Sequence, residues 1–255
     1  MKVAILAGGL GTRLAEHTTQ IPKPMVEIGD APVLWHIMKI YEKFGHKDFV
    51  VALGYKGDVI KEYFVNYRWQ ATSFTVSLGT GDIRFHDESP EDWQVDLLET
   101  GLTSNTGWRV KLISEHVGDE PFMLTYGDGV ADINIDRLVD FHLSHGKIAT
   151  LTAVRRNARF GEVRFDGDKV ARFQEKPWTG EGWINGGFFV FQPEIRDFID
   201  YDCPLEREPL VRLAEAGELM AYRHDGFWQC MDTLKDVQTL EQLWQADQAP
   251  WKTWR

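Results

Sequence analysis

The sequence predicts an α/β fold, and three observations carry that expectation. Short apolar runs, each ending at glycine, recur along the chain: Lys2–Ala7 before Gly8-Gly9, Phe49–Leu53 before Gly54, and Phe122–Tyr126 before Gly127. Between them lie segments with apolar residues at helical spacing. Alternating strands and helices favour a mostly parallel sheet covered on both faces. Together they describe a single Rossmann-like domain with a mostly parallel mixed sheet flanked by helices, plus a small β-rich insertion.

Each element has its own signal. Val33, Ile37, Ile40, Tyr41 and Phe44 space as a helix closed by Gly45. Asp58 to Tyr67 forms a second helix. Residues 72–100 break the rhythm with short extended pieces around Phe74, Ile83 and Val95, as expected of an insertion or oligomer contact. Arg109–Val117 is helical, and Ile135–His145 is a helix with His142 and His145 on its exposed side. Ile148–Val154 is a strand. Polar and apolar residues alternate from Gly161 to Glu175 around Asp166-Gly167-Asp168, which marks a hairpin. Trp183–Phe191 is an aromatic strand. Helices follow near Pro193–Ile199 and Pro209–Ala216, and a last one runs from Thr233 to Trp244. No repeat or linker divides residues 1–255, so one domain is expected.

Composition narrows the function classes. The chain has 255 residues and a formal net charge of −11, which argues against a broad nucleic-acid surface but leaves room for a local anion pocket. Two cysteines, Cys203 and Cys230, give no disulfide framework. The cysteines and histidines, among them His17, His36, His46 and His116, show no zinc spacing. No apolar run approaches a membrane span, so a cytoplasmic protein is expected.

Leu6-Ala7-Gly8-Gly9-Leu10-Gly11-Thr12-Arg13-Leu14 places three glycines at the carboxyl end of the first strand, the sheet edge where open α/β folds bind ligands. Glycine lets backbone N–H groups approach a phosphate. The dinucleotide fingerprint fails because Leu14 replaces its last glycine, and the Gly-Lys-Ser/Thr of a Walker loop is absent. A tight turn that binds nothing remains open on the glycines alone. Arg13, and Lys23 within Pro22-Lys23-Pro24, supply cations for a polyphosphate. Asp128, between Gly127 and Gly129, sits at the same edge and suits a hard cation. Asp232 is either a second cation ligand or the cap of the last helix. Lys176, in Glu175-Lys176-Pro177, is a second phosphate ligand. Asn185-Gly186-Gly187 inside a strand indicates either a close ligand or a β-bulge.

These blocks resemble the sugar-1-phosphate nucleotidyltransferase family. The glycine loop with Pro22-Lys23-Pro24 matches its signature, and Glu175-Lys176-Pro177 its sugar-phosphate motif. Five further segments resemble the cytidylyl branch: 25–29, 34–39, Thr125 to Asp132, Trp183 to Val190, and Met231 to Leu234. So does Ala249 to Trp254. The resemblance implies transfer of a cytidylyl group from CTP to glucose 1-phosphate, giving CDP-glucose and pyrophosphate by in-line displacement. UTP or dTTP, or another sugar 1-phosphate, is the alternative within the same chemistry.

It also implies residue roles. Arg13 and Lys23 would be catalytic. Leu6, Ala7, Gly8, Gly9, Gly11, Thr12, Arg13, Lys23, Ser104, Arg109 and Asp128 would bind the nucleotide. Glu175, Lys176, Asn185 and Gly186 would bind the sugar phosphate, and Asp128 and Asp232 would hold Mg2+. A homo-oligomer, hexameric or trimer-based, and a place in surface-polysaccharide synthesis are implied as well. The chain departs from the pattern at Trp108, where glycine is expected, and at Leu112, where a second arginine is expected. A non-catalytic nucleotide-binding relative would be expected to lack one of Arg13, Lys23, Asp128 or Asp232, and all four are present.

Overall fold

The fold was derived from a computed structural model, which describes residues 1–11, 21–155, 162–166, 169–174 and 182–254. In chain order the strands begin with β1 (Val3–Leu6), β2 (Glu27–Ile28), β3 (Ala31–Pro32) and β4 (Asp48–Leu53). The hairpin β5 (Phe74–Val76) and β6 (Ile83–Phe85) precedes β7 (Gln94–Glu99), β8 (Phe122–Tyr126), β9 (Gly129–Ala131) and β10 (Ala149–Arg155). The last are β11 (Glu162–Asp166), β12 (Lys169–Gln174), β13 (Trp183–Phe191), β14 (Leu219–His224) and β15 (Trp228–Cys230). The helices are α1 (Val33–Glu42), α2 (Gly57–Val65), α3 (Tyr67–Ala71), α4 (Thr106–Val117), α5 (Ile135–His145), α6 (Glu208–Glu215) and α7 (Leu234–Gln245).

Seven strands form the main sheet in the order β14-β10-β13-β8-β1-β4-β7. β8, β1, β4 and β7 run parallel, while β13 runs antiparallel to both β8 and β10. Successive side chains leave a strand on opposite faces, and the core divides accordingly. Val3 and Ile5 of β1, Phe49 and Val51 of β4, and Phe188 and Val190 of β13 join one cluster, with α1, Ile60 of α2, Leu138 of α5, Leu240 of α7 and Trp251. Ala4, Leu6, Val50, Ala52, Phe189 and Phe191 join the other, with Val110 and Ile113 of α4 and Leu210 and Leu213 of α6. Burial on both faces explains why these strands read as continuous apolar runs.

The α/β prediction holds, and so does the hairpin expected over 161–175, whose described strands β11 and β12 pair antiparallel. Some local expectations change. The helix expected over 58–67 stops at Val65, and Asn66 separates it from α3. Residues 72–100 divide: β5 and β6 form an exposed hairpin, but β7 joins the main sheet beside β4 as its edge strand. The helix near 193–199 is a 3-10 helix, Pro193–Phe198. His142 is buried rather than exposed. It lies on the Ile135–Leu138 stripe of α5, where spacing outweighs polarity. Its Nε2 accepts from Gln192 Nε2 at 3.0 Å, leaving Nδ1–H to donate to Thr150 Oγ1 at 2.9 Å.

Candidate functional site

β1 lies between β4 and β8, and the chain leaves β1 toward β4 and β7 before returning to β8 on its other side. Such a reversal opens a crevice at the strands' carboxyl ends. A cavity of about 520 Å³ occupies it, lined by Leu6 to Gly11 after β1, by Lys23, by Tyr126 to Asp128 after β8, and by 102–106 with Arg109. The two strand ends are tied together, since Gly127 N–H donates to Leu6 O at 3.1 Å.

Lys23 opens a 3-10 turn, Lys23–Met25, between Pro22 and Pro24. Met25 N–H donates to Pro22 O at 2.8 Å and Val26 N–H to Lys23 O at 3.1 Å. With the backbone held, the side chain reaches two carboxylates distant in sequence. Its Nζ lies 2.5 Å from Asp128 Oδ2 and 2.7 Å from Asp232 Oδ1. The lysine side chain is 12% exposed, and those of Asp128 and Asp232 are 27% and 16% exposed. Burial opposes its charge, but Asp128 and Asp232 outweigh that cost and raise the ammonium above the usual lysine range.

Asp232 does not cap the last helix. Thr233 is the N-cap of α7: its side chain accepts from Asp236 N–H, and Asp236 Oδ2 accepts from Thr233 N–H at 2.8 Å. This reciprocal capping leaves the Asp232 carboxylate to Lys23. Nearby Cys230 Sγ donates weakly to Asp232 Oδ2 at 3.8 Å. Burial, with Asp232 and Asp128 beside it, pushes the thiol up to about 11, so it stays protonated and is no nucleophile at neutral pH.

Arg109 underlies the glycine loop. Its guanidinium is buried and donates to Leu53 O at 2.7 Å, Gly8 O at 3.1 Å and Ser104 O at 3.1 Å, and also to Thr100 Oγ1. A Cβ at Gly8 would stand 2.2 Å from Arg109 Nη1, so that glycine is required by the arginine beneath it. Gly9 differs: it is exposed, and nothing of the described protein lies within 4 Å of a Cβ there. Ser104 lines the same cavity as the loop. Trp108 does not line it; the indole packs on the second core cluster, with Lys111 Nζ 5.4 Å from its ring.

The structure therefore brings together Leu6, Ala7, Gly8, Gly9, Gly11, Lys23, Ser104, Arg109 and Asp128 around one cavity, with Asp232 bound to Lys23. Thr12, Arg13, Glu175 and Lys176 lie outside the described residues. Asn185 and Gly186 do not line the cavity. Asn185 Nδ2 donates to Tyr126 Oη at 3.2 Å, and its Oδ1 accepts from Gly187 N–H at 2.9 Å. Gly186 is buried, its carbonyl accepting from Trp228 Nε1 at 2.7 Å, and a Cβ there would meet Val154 Cγ1 at 2.6 Å. The β10–β13 register shifts at this point, so these glycines sit in a bulge that turns Asn185 toward Tyr126 at the cavity.

Sequence reasoning missed Tyr126, Thr100 and Glu206. Tyr126 Oη donates to Glu206, and both line the cavity. Tyr126 falls within the Thr125–Asp132 segment without a role attached to it, and the loop carrying Glu206 reaches the cavity only through the folded chain.

The two carboxylates suit a hard cation, which takes one or two carboxylates and completes its shell with water and phosphate oxygens. Among the described residues no cluster of three His, Cys, Asp or Glu side chains offers a softer metal cage. No helix among them is long and apolar enough to cross a membrane.

Comparison with known proteins agrees with this geometry. The chain is 53% identical to glucose-1-phosphate cytidylyltransferase of Salmonella typhi over 256 aligned positions, covering 100% of both chains. It is 43% identical to the probable glucose-1-phosphate cytidylyltransferase of Bacillus subtilis (strain 168), again over 100% of both. Among solved structures, HddC from Yersinia pseudotuberculosis superposes with a TM-score of 0.70 at 23% identity, covering 95% of this chain and 99% of that one. A putative glucose-1-phosphate thymidylyltransferase from Bacillus anthracis superposes with a TM-score of 0.67 at 18% identity, covering 95% and 94%. These likenesses establish the fold. The family model for nucleotidyl transferases matches residues 2–251, and with the full-length relatives it places this chain in the nucleotidyl transferase family.

Proposed function

We propose that this protein transfers the cytidylyl group of CTP to glucose 1-phosphate, forming CDP-glucose and releasing pyrophosphate. The observation that carries the reading is the Lys23–Asp128–Asp232 trio, whose Lys23 and Asp128 line the same cavity as the Gly8–Gly11 loop. The 53% identity to the Salmonella typhi enzyme supports the choice of substrates.

A phosphate oxygen of the sugar 1-phosphate attacks the α-phosphorus of CTP, that bond forms as the bond to the β-phosphate bridging oxygen breaks, and pyrophosphate leaves in line. The nucleophile is already an anion, so no general base is required. The protein's work is positioning and charge stabilisation. The backbone from Gly8 to Gly11 receives the triphosphate, and Lys23, on the same cavity, neutralises it. Arg13 adds a second cation on the loop, while Glu175, Lys176 and Asn185 hold the sugar phosphate. Ser104 binds the nucleotide, and Arg109 supports it through the Gly8 carbonyl. Asp128 and Asp232 would hold Mg2+, which supplies electrostatic stabilisation of the phosphates when bound.

The enzyme is cytoplasmic and assembles as a homo-oligomer in this reading. Exposed Leu78 and Val76 around the β5–β6 hairpin, and Val65 of α2, are apolar surface for such a contact. The test is pyrophosphate release with Mg2+ and glucose 1-phosphate, offering CTP, UTP, dTTP, ATP and GTP separately. CTP is expected to be strongly preferred, and Lys23→Ala or Asp128→Ala is expected to lose at least about 10²-fold in rate. Preference for another nucleotide would overturn the base assignment; near-normal turnover in either variant would remove that residue from its role.

A further inference from the structure

Lys23 borders two places at once. Its ammonium is bonded to Asp128 and Asp232, yet the residue also lines the glycine-loop cavity. The proposed function asks for Lys23 on the triphosphate and a divalent cation on the two carboxylates. The ammonium, at 2.5 and 2.7 Å from one oxygen of each carboxylate, stands where such a cation would bind those same oxygens. A magnesium-sized ion takes carboxylate oxygens at about 2.0–2.1 Å, so it and the ammonium would overlap in one gap.

We propose that Lys23 and the divalent cation are alternative occupants of the Asp128–Asp232 pair, and that the nucleotide triphosphate opens the pair by drawing the Lys23 ammonium onto its phosphates. This rests on the nucleotide and metal roles proposed above. The lysine is suited to the exchange: the Pro22–Pro24 turn holds its backbone while a flexible four-carbon stem carries the charge. In the free protein Lys23 keeps the two carboxylates paired and holds the site together without metal. The divalent cation then binds weakly before the nucleotide and strongly with it. Metal and nucleotide affinities are thus positively coupled, and the coupling is reciprocal.

The experiment measures Mn2+ binding to the full chain by electron paramagnetic resonance of the free ion, with and without CTP and with no sugar phosphate present. Wild type is compared with Lys23→Gln, which is one bond shorter, keeps a polar end and removes the charge. The expected result is that Lys23→Gln binds Mn2+ at least about tenfold tighter than wild type without CTP (1.4 kcal/mol per tenfold) and gains far less when CTP is added. Equal Mn2+ affinity of the two proteins without CTP overturns the proposal, even if CTP tightens binding in wild type. Absence of Mn2+ binding in both proteins even with CTP overturns the metal role of the carboxylate pair and this inference with it.

Thermal unfolding with and without Mn2+ keeps the test decisive if Lys23→Gln is destabilised. Mn2+ is expected to raise the Tm of that variant more than that of wild type, because the Lys23 ammonium no longer competes for the pair. Equal shifts overturn the proposal.

Discussion

Gly8 and Gly9 are adjacent glycines kept for different reasons. Gly8 is fixed by the protein, because Arg109 occupies the space a Cβ would need. At Gly9 the protein leaves that space open, so packing does not demand glycine there. Gly9→Ala is therefore expected to change stability by less than about 0.5 kcal/mol while raising the KM for the nucleotide several-fold, by keeping phosphate from the backbone. An unchanged KM would show that the nucleotide does not approach Gly9. The sequence made the loop visible as a set of glycines but could not separate these two cases. The arginine that decides between them lies about a hundred residues away and meets the loop only in the folded sheet.

At the scale of single elements, α7 shows how a helix terminus bears on the site. Thr233 and Asp236 form the capping box that starts the helix immediately after Asp232. Removing the cap by Thr233→Ala is expected to cost about 1 kcal/mol in denaturant unfolding and to weaken the hold on Asp232, lowering kcat/KM further than the stability loss alone explains. A variant with normal kcat/KM would confine the box to stability. Asp232 and Thr233 are both acceptable caps by residue type, so the sequence left the choice open; backbone geometry assigns it to Thr233. The β10–β13 bulge is a similar case, since Asn185-Gly186-Gly187 announced an irregular strand without saying whether a ligand or a neighbouring strand caused it.

At the scale of the whole molecule, buried histidines tie distant parts together. His36 of α1 is enclosed by Trp244, Trp251 and Trp254; its Nε2–H donates to Ile28 O at 2.8 Å, and its Nδ1 accepts from Trp251 Nε1 at 3.4 Å. The Trp251 contact requires neutral imidazole, because a protonated Nδ1 could not accept. Burial lowers His36 to about 4, and burial lowers His142 to about 4, against an ordinary value of 6.5. The unfolded chain therefore binds protons more readily than the folded one between those values. Their contribution to stability is complete above pH 6.5 and is lost progressively as pH falls toward 4, by up to a few kcal/mol for each histidine. Chemical denaturation at pH 7, 6 and 5 is expected to show this decline, with a shallower slope in His142→Gln. Constant stability across that range would exclude burial of the neutral rings as its source.

The sequence by itself determined the alternation of strands and helices, the glycine loop, and the identities of Lys23, Asp128 and Asp232 as candidate site residues. These signals are local: an apolar run, a helical period, a glycine or proline beside a charge. Tertiary structure decided that β7 belongs to the main sheet, that His142 turns inward, and that Arg109 spends its donors on backbone beneath Gly8. It also decided that Lys23 meets two carboxylates 105 and 209 positions away in the chain. Such contacts depend on strand order and register, and order is set by which faces can be buried together, a property no short stretch of sequence contains.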